Sequence, residues 1–177
     1  KISIQIDDNK CSEQYISNCL WGMYRGNGSP VSPNLLQSLH MALEKYLLDV
    51  TENTEEGILI SLFKHMLMKS NSASITAVIL SVVLAFTEKL SEIAVILFQT
   101  YEVINYDLSR SVGDRTIKSL YSIGCGMNRE HDFYQKERID TCDQKHRNNT
   151  LEGVIVIYQF FMPEGSEEEK FKKRQKK

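Results

Sequence analysis

Hydrophobic residues between positions 33 and 69 recur with the period of amphipathic helices. The first helix is predicted to begin at Pro33, with Ser32 as its N-cap, because proline's missing N–H costs no hydrogen bond in the first turn. We expect this helix to end near Val50. Its apolar positions, which are predicted to face the core, are 35/36, 39, 43, 46/47 and 50.

A second helix is predicted after Thr54, its expected N-cap, with Glu55 and Glu56 near the positive end of the helix dipole. Its apolar stripe falls at 58/59, 62/63 and 66/67. The linker between the two helices is short, which is typical of antiparallel helical neighbours. In this hairpin, Leu39→Ala or Leu62→Ala is expected to destabilise the protein by about 2–5 kcal/mol, because each leaves a cavity.

The run from Ile75 to Phe86 is almost entirely apolar, so periodicity alone does not separate a buried helix from a buried strand. Valine and isoleucine favour a strand, whereas the length of the run favours a helix. Helical patterns on both sides lead us to predict a helix. Ser91 and Glu92 are predicted to open a fourth helix, with apolar positions at 93, 97, 101, 104 and 108.

The two ends of the chain have weaker patterns. At the N-terminus, Ile2, Ile4 and Ile6 alternate with polar residues, which is the period of a strand. Residues 109–126 contain three glycines and are predicted to form a loop with at most one short helix near 116–122. Residues 129–147 are charged and predict a solvated helix, while 151–162 are apolar and compatible with either a strand or a helix.

These patterns predict an all-α or mainly α fold, either a multi-helix bundle or a solenoid-like helical module, with at most a few short peripheral strands. Apolar residues make up 42% of the chain and charged residues 25%, which supports a sizeable core. We expect one helical domain over 1–166, with a four-helix core at 33–108 and a looser second part at 109–166. We expect residues 167–177 to form a charged tail or linker.

The formal net charge is −2, which is not typical of a general nucleic-acid binder. The last eleven residues hold three acidic and six basic residues, and we interpret them as a solvated tail. No apolar stretch reaches the roughly 20 residues of a bilayer span, so no membrane partner is expected. We predict a cytoplasmic protein with reduced cysteines. Because the chain begins at Lys1 rather than Met, we expect a piece of a larger protein or a processed chain.

No motif in the sequence indicates a reaction. A phosphate-binding loop ending in Gly-Lys-Ser/Thr and a Gly-x-Ser-x-Gly elbow are both absent, and Arg25 beside Gly26 and Gly28 is typical of an ordinary turn. His40 and Glu44 lie four residues apart and are predicted to form a surface pair, so that His40→Ala should be nearly silent. We therefore predict no enzyme, no catalytic residue and no cofactor for this chain.

Two further residue groups are candidate sites. Zinc sites need four converging thiolates or imidazoles, and such side chains occur at Cys125, His131, Cys142 and His146. Their spacing matches no common zinc finger, so we predict no metal and keep these four as candidates for an alternative metal site. The residue types favoured at protein contacts occur at Trp21, Tyr24 and Arg25. They are predicted to form either a partner-binding face or the aromatic lid of the helical core.

A loose charge cluster follows the predicted fourth helix. Asp107, Arg110, Asp114 and Arg115 contain two opposite-charge pairs at close spacing. We predict that these pairs direct the path of the chain where the fourth helix ends.

Several stretches together resemble a known family. They are Cys19 to Gly26, Ser32 to Leu48, Lys69 to Val78 and Cys142 to Gln159. They are similar to the helical region beyond the ATPase core of very large bacterial ATP-binding proteins of the STAND class, the antiviral ATPases of phage defence. The resemblance spans residues 19–160. It implies an internal helical module that couples nucleotide state to domain packing and oligomer assembly. The family's phosphate-binding and magnesium motifs have no counterpart here.

Two functions remain open at this point. The first is a non-catalytic coupling module, whose partners are other domains of a larger parent ATPase. The second is an independent helical adaptor that binds a protein partner through the face around Trp21, Tyr24 and Arg25. Both predict an exposed apolar patch where the parent or partner docks. A metal-binding protein or enzyme built on Cys125, His131, Cys142 and His146 is a third, less favoured hypothesis.

Overall fold

The computed structural model describes residues 1–25, 34–122 and 144–161. These residues are mainly helical with one small antiparallel sheet, as the sequence predicts. The elements in chain order are β1 (Ile2–Asp7), β2 (Lys10–Gln14), α1 (Asn18–Trp21), a 3-10 turn (Met23–Arg25), α2 (Asn34–Asn53), α3 (Glu56–Lys69), α4 (Ala73–Ala85), α5 (Ser91–Phe98), α6 (Tyr101–Ser122), a second 3-10 turn (Lys145–Asn148) and α7 (Leu151–Phe161).

The N-terminal hairpin lies against α3 and α5. Strand β1 pairs with β2 in register Ile2↔Gln14 and Ile4↔Ser12. Alternation places the three isoleucines of β1 in the core, which confirms the predicted strand period. Beyond β2, the N–H of Tyr15 donates to the carbonyl of Asn71 over 2.8 Å, so that the hairpin is tied to the start of α4.

Helix α4 forms the centre of the bundle, and both 3-10 turns and helices α2, α3, α5 and α7 pack against it. Almost every residue of α4 is buried, because the segment has no strongly polar face. Ser72 caps its N-terminus by accepting a hydrogen bond from the N–H of Ser74. The helix predicted for Ile75 to Phe86 is therefore confirmed.

Helix α2 is present as predicted, but the side of the helix that packs on the core is not the predicted one. The residues buried on it are Gln37, Glu44, Leu47 and Thr51. Most of the predicted core stripe instead faces solvent, at Leu35, Leu36, Leu39 and Tyr46. The helix is rotated because Glu44 bonds to groups in the core, as described below. Leu39 is 56% exposed, so the large cavity cost expected for Leu39→Ala is wrong.

The second predicted stripe is confirmed on α3, where Leu59, Phe63 and Leu67 are buried, although Ile58 is exposed. Helix α2 continues to Asn53, past the predicted end at Val50. As a result α3 begins at Glu56, after Glu55 rather than Thr54 as its N-cap.

The region after α4 differs most from the prediction. The expected single helix over 91–108 is two helices, α5 and α6, which are separated at Gln99 and Thr100. Residues 109–122, predicted largely as a loop, continue α6 without interruption, and Gly113 lies within it. The expected boundary between 108 and 109 thus falls inside one helix. Salt bridges three and four residues apart on α6 support this continuation.

The sequence left open whether residues 151–162 form a strand or a helix. In the structure, Leu151–Phe161 form helix α7. Before it, Lys145–Asn148 form a 3-10 turn in which Arg147 is buried. The solvated helix predicted at 129–147 lies outside the described residues as far as residue 143. The predicted tail at 167–177 also lies outside them. Within the described ranges, no helix combines the length and the apolar character needed to cross a bilayer.

Candidate functional site

Six charged side chains meet in the interior of the helical bundle, and we call them the ion cluster. Three are acidic and three are basic, so that their formal charges cancel. They come from α2, α6 and the two 3-10 turns, and each side chain is at most 11% exposed. The members of the ion cluster are Arg25, Glu44, Asp107, Arg110, Asp114 and Arg147.

Arg25 closes one side of the ion cluster by a bidentate contact. Its Nε donates to Oδ1 of Asp114 over 2.9 Å, and its Nη2 lies 2.7 Å from Oδ2 of the same carboxylate. This two-point geometry is the strongest form of an arginine–carboxylate pair. It joins the 3-10 turn Met23–Arg25 to α6 across 89 positions of sequence.

Arg110 is the hub of the ion cluster. Its Nε donates to Oδ1 of Asp107 over 2.7 Å, and its Nη1 donates to Oδ2 of Asp114 over 3.0 Å. The guanidinium also donates to the backbone carbonyls of Arg147 and Asn149, over 2.9 and 2.7 Å. One side chain of α6 therefore fixes the backbone that leads into α7.

Asp107 completes this attachment at the start of α7. Its Oδ2 accepts a hydrogen bond of 2.8 Å from the N–H of Leu151, the first residue of the helix. A carboxylate at this position satisfies an otherwise unpaired backbone donor and interacts favourably with the helix dipole. Of the predicted charge cluster, Asp107 and Arg110 do direct the chain path, but they act from within a helix and on a segment about forty residues away. The second predicted pair is not formed as expected, because Asp114 binds Arg25 and Arg110 while Arg115 is exposed.

Glu44 brings α2 into the ion cluster. Its carboxylate accepts hydrogen bonds from Oγ of Ser81 on α4 and from Nη2 of Arg147. Burial alone would raise the pKa of Glu44, but the neighbouring His146 ring, the Arg147 charge and the Ser81 hydroxyl together outweigh it and hold the pKa below 4.5. Nε2 of His146 lies 3.8 Å from Oε1 of Glu44.

The predicted surface pair of His40 and Glu44 is wrong. Glu44 is only 3% exposed and points into the ion cluster. His40 instead contacts the Leu36 carbonyl through Nδ1 at 2.8 Å and Ser74 Oγ through Nε2 at 2.9 Å. The imidazole therefore ties α2 to the first turn of α4, so His40→Ala is no longer expected to be silent.

Burial shifts the ionisation of two neighbours of the ion cluster. The phenol of Tyr24 is fully buried, and this desolvation raises its pKa to about 12 against the opposing charges of Arg110 and Arg25. Burial and the nearby positive charge of Arg25 together lower the pKa of Arg147. Because each carboxylate of the ion cluster is bound to a guanidinium, this arrangement fits a structural role better than proton transfer.

The structure places the predicted contact residues in the core. Trp21, Tyr24 and Arg25 are 2%, 3% and 6% exposed, respectively. The Trp21 ring packs against Tyr106 with centroids 5.8 Å apart, and Arg25 lies over the ring of Tyr24. These side chains therefore offer no exposed surface to a partner and occupy the other predicted place, the aromatic part of the helical core.

Of the candidate metal ligands, only His146 belongs to the described residues, and its nearest acidic neighbour is Glu44. Cys125, His131 and Cys142 lie outside those residues, as do Gly26 and Gly28 of the predicted turn. In the part of the chain that the structure describes, no group of three or more histidine, cysteine or acidic side chains is arranged to hold a metal ion.

Two helices expose apolar side chains on their outer faces. On α2 four such side chains lie along one side of the helix, and we call them the α2 stripe: Leu35, Leu36, Leu39 and Tyr46. Met41 is also exposed, on another side of the helix. On α7 they are Val156, Ile157 and Phe160, which we call the α7 stripe. The inner face of α7 is apolar too, with Leu151 and Val154 in the core. A helix that is apolar on both faces is normally covered on both.

Sequence reasoning located Asp107, Arg110 and Asp114 but missed the roles of Glu44 and Arg147. A signal for Glu44 existed, because the polar residues Gln37, Glu44 and Thr51 recur every seven positions on one face of α2. No protein-family model matches this chain, and a search of curated proteins finds no relative.

Proposed function

We propose that this chain is a non-catalytic helical interaction module that docks onto another protein surface through the α2 stripe. The observation that carries the proposal is the exposure of four large apolar side chains along one side of α2. Contiguous apolar surface on a folded protein marks an interaction site, because leaving it in water costs free energy. The ion cluster supports a structural role because its charges are paired.

The opposite face of α2 gives the module a means of coupling. Glu44 lies on that face and bonds both α4, through Ser81, and the second 3-10 turn, through Arg147. The Arg147 carbonyl in turn accepts from Arg110 of α6. A partner that shifts α2 along its axis would therefore strain contacts in three other elements, because buried charge pairs tolerate little displacement.

The resemblance to STAND-class proteins supplies the wider setting of the proposal. In that setting the chain is an internal module of a larger cytoplasmic ATPase of bacterial phage defence, and the α2 stripe packs on another domain of the same protein. The alternative is an independent adaptor whose α2 stripe binds a separate protein. The two differ in whether the complete gene encodes an ATP-binding loop ending in Gly-Lys-Ser/Thr.

The test uses the complete gene product and the variant Leu39→Glu, with Ile58→Glu as a matched control. Ile58 is 59% exposed and lies on α3, away from the α2 stripe. If the gene encodes an ATPase, Leu39→Glu should change its ATP turnover severalfold, whereas Ile58→Glu should leave turnover unchanged. A gene without an ATP-binding loop contradicts the parent ATPase. Equal turnover of both variants and the wild type contradicts docking through the α2 stripe.

A further inference from the structure

The second 3-10 turn and α7 form one continuous segment, residues 145–161, which we call the strap. The 3-10 turn packs on α4, and α7 packs on α4, α5 and α6. We propose that the strap opens from the bundle as one unit while the other helices stay folded, and that Glu44 controls this opening. The inference rests on the proposed function, in which a docking partner displaces α2 and Glu44 with it.

The apolar attachment of the strap is small. Within residues 151–160, Leu151 and Val154 are buried, Ile155 and Tyr158 are half-buried, and the other six residues are exposed. Helix α4, by contrast, is buried along almost its whole length. Segments with few buried apolar contacts open at a lower free energy than the core of a protein. Opening of the strap therefore requires less free energy than unfolding of the bundle.

Polar contacts attach the N-terminal end of the strap. Arg147 donates to the carboxylate of Glu44, while Arg110 donates to the carbonyls of Arg147 and Asn149. These charged groups are buried, and the cost of removing them from water offsets much of their attraction. Opening the strap returns them to water, so the net contribution of these contacts to the closed state is modest.

Tyr158 attaches the other end of the strap. Its hydroxyl donates to the backbone carbonyl of Thr87, and its ring packs edge-on against Phe98 with the centroids 5.7 Å apart. Tyr158 lies about 10 Å along the helix from Leu151. A helix that is held only at its first turn frays from its free end. The strap is held near both ends, and we therefore expect it to open as a whole.

The ion pair of Glu44 and Arg147 connects α2 to the strap. When α2 is displaced, Arg147 loses its counter-ion, which is costly only while the guanidinium stays buried. Opening the strap places Arg147 in water and removes this cost. Displacement of α2 therefore shifts the equilibrium towards the open strap, in which Leu151 and Val154 are uncovered.

Amide hydrogen exchange of the full 177-residue chain, followed residue by residue by NMR, tests the proposal. In the wild type, the amides of 154–160 should share one opening equilibrium and exchange faster than those of α4. Glu44→Gln should speed exchange in the strap by about tenfold or more, because it leaves Arg147 without its counter-ion. Glu52→Gln is the matched control, since Glu52 is exposed on the same helix, and it should leave this exchange unchanged.

A substitution in the bundle separates opening of the strap from global unfolding. Phe63→Leu shortens a fully buried side chain on α3. It should speed exchange in α4 severalfold and leave the strap unchanged, because the surroundings of Phe63 stay packed when the strap opens.

Two milder substitutions carry the test if Glu44→Gln does not fold. Tyr158→Phe removes the hydrogen bond to Thr87 and should speed exchange severalfold across the whole strap, at Val154 as much as at Phe160. Glu44→Asp keeps the charge but shortens the side chain by one methylene, and it should speed exchange in the strap in the same direction as Glu44→Gln.

Three results would overturn the proposal. They are exchange in the strap that is as slow as exchange in α4, protection that falls steadily towards Phe160 as in a fraying helix, and equal exchange in Glu44→Gln and Glu52→Gln. None of these measurements involves docking, so their failure leaves the α2 stripe to the turnover test with Leu39→Glu. If the strap opens as described and Leu39→Glu leaves turnover unchanged, docking through the α2 stripe fails while the control of opening by Glu44 stands.

Discussion

Glu44 on α2 and Arg147 before α7 are 103 positions apart in the sequence, yet their side chains form a buried ion pair in the centre of the molecule. Both side chains are almost fully buried. The pair joins the helix that carries the α2 stripe to the segment that leads into the helix with the α7 stripe. It therefore fixes which face of α2 is turned towards solvent.

Removing one partner of this pair should be costly. We expect Glu44→Gln to lower the free energy of unfolding by about 3–5 kcal/mol, because it leaves the Arg147 charge buried without its counter-ion. Urea denaturation measures this change. Glu52→Gln on the exposed side of the same helix is the control and should change stability by less than about 0.5 kcal/mol. Equal stability of the two variants would show that the pair contributes nothing.

The lowered pKa of Glu44 predicts a specific loss of stability in acid. Because the folded-state pKa lies below the ordinary value of 4.5, the carboxylate contributes stability that is complete above that pH and disappears as the pH falls through the folded-state pKa. The free energy of unfolding of Glu44→Gln should therefore fall less steeply with acid than that of the wild type. Parallel curves for the two proteins would rule out this linkage.

The raised pKa of Tyr24 predicts a loss of stability in alkali. This pKa rises from 10.0 to about 12 on folding, so the contribution of Tyr24 to stability is complete below pH 10 and is lost as the pH rises through 12. This one group should account for about 3 kcal/mol of the stability that is lost at alkaline pH, since each pKa unit corresponds to about 1.4 kcal/mol. Tyr24→Phe should lack that part of the loss. Tyr46→Phe, at an exposed position, should retain it.

Truncations on neighbouring helices should reveal the facing of α2. Phe63→Ala on α3 removes a fully buried ring and should cost about 3–5 kcal/mol. Leu39→Ala removes a mostly exposed side chain and should cost less than about 1 kcal/mol. Chemical denaturation of both variants measures the difference. If Leu39→Ala lowered the free energy of unfolding as much as Phe63→Ala does, the leucine face of α2 would pack on the core, as the apolar pattern predicts.

Local patterns were sufficient where burial follows apolar periodicity. The stripe on α3 and the continuous apolar run of α4 both identify helices whose core residues can be read from the sequence. They failed on α2, because Glu44 is buried against Arg147, which lies 103 positions away in the sequence. The leucines of α2 predict that their own face is buried, whereas in the fold that face is exposed.

The length of α6 was missed for a related reason. Gly113 lowers helix propensity by about 1 kcal/mol relative to alanine, and it led to the prediction of a loop. In the structure Asp107 and Asp114 bind Arg110 from adjacent turns of the helix, while Arg25 holds Asp114 from outside. Tertiary ion pairs thus support a helix in a segment whose local sequence favours an interruption.

Hydroxyl-radical footprinting of the chain at low concentration tests the central claim most directly, because it reports side-chain accessibility residue by residue. The claim is that α2 buries its polar face and exposes its leucines. Leu39 and Tyr46 should be oxidised rapidly, while Leu47 on the buried face of the same helix should be protected. Protection of Leu39 and Tyr46 together with oxidation of Leu47 would contradict the account.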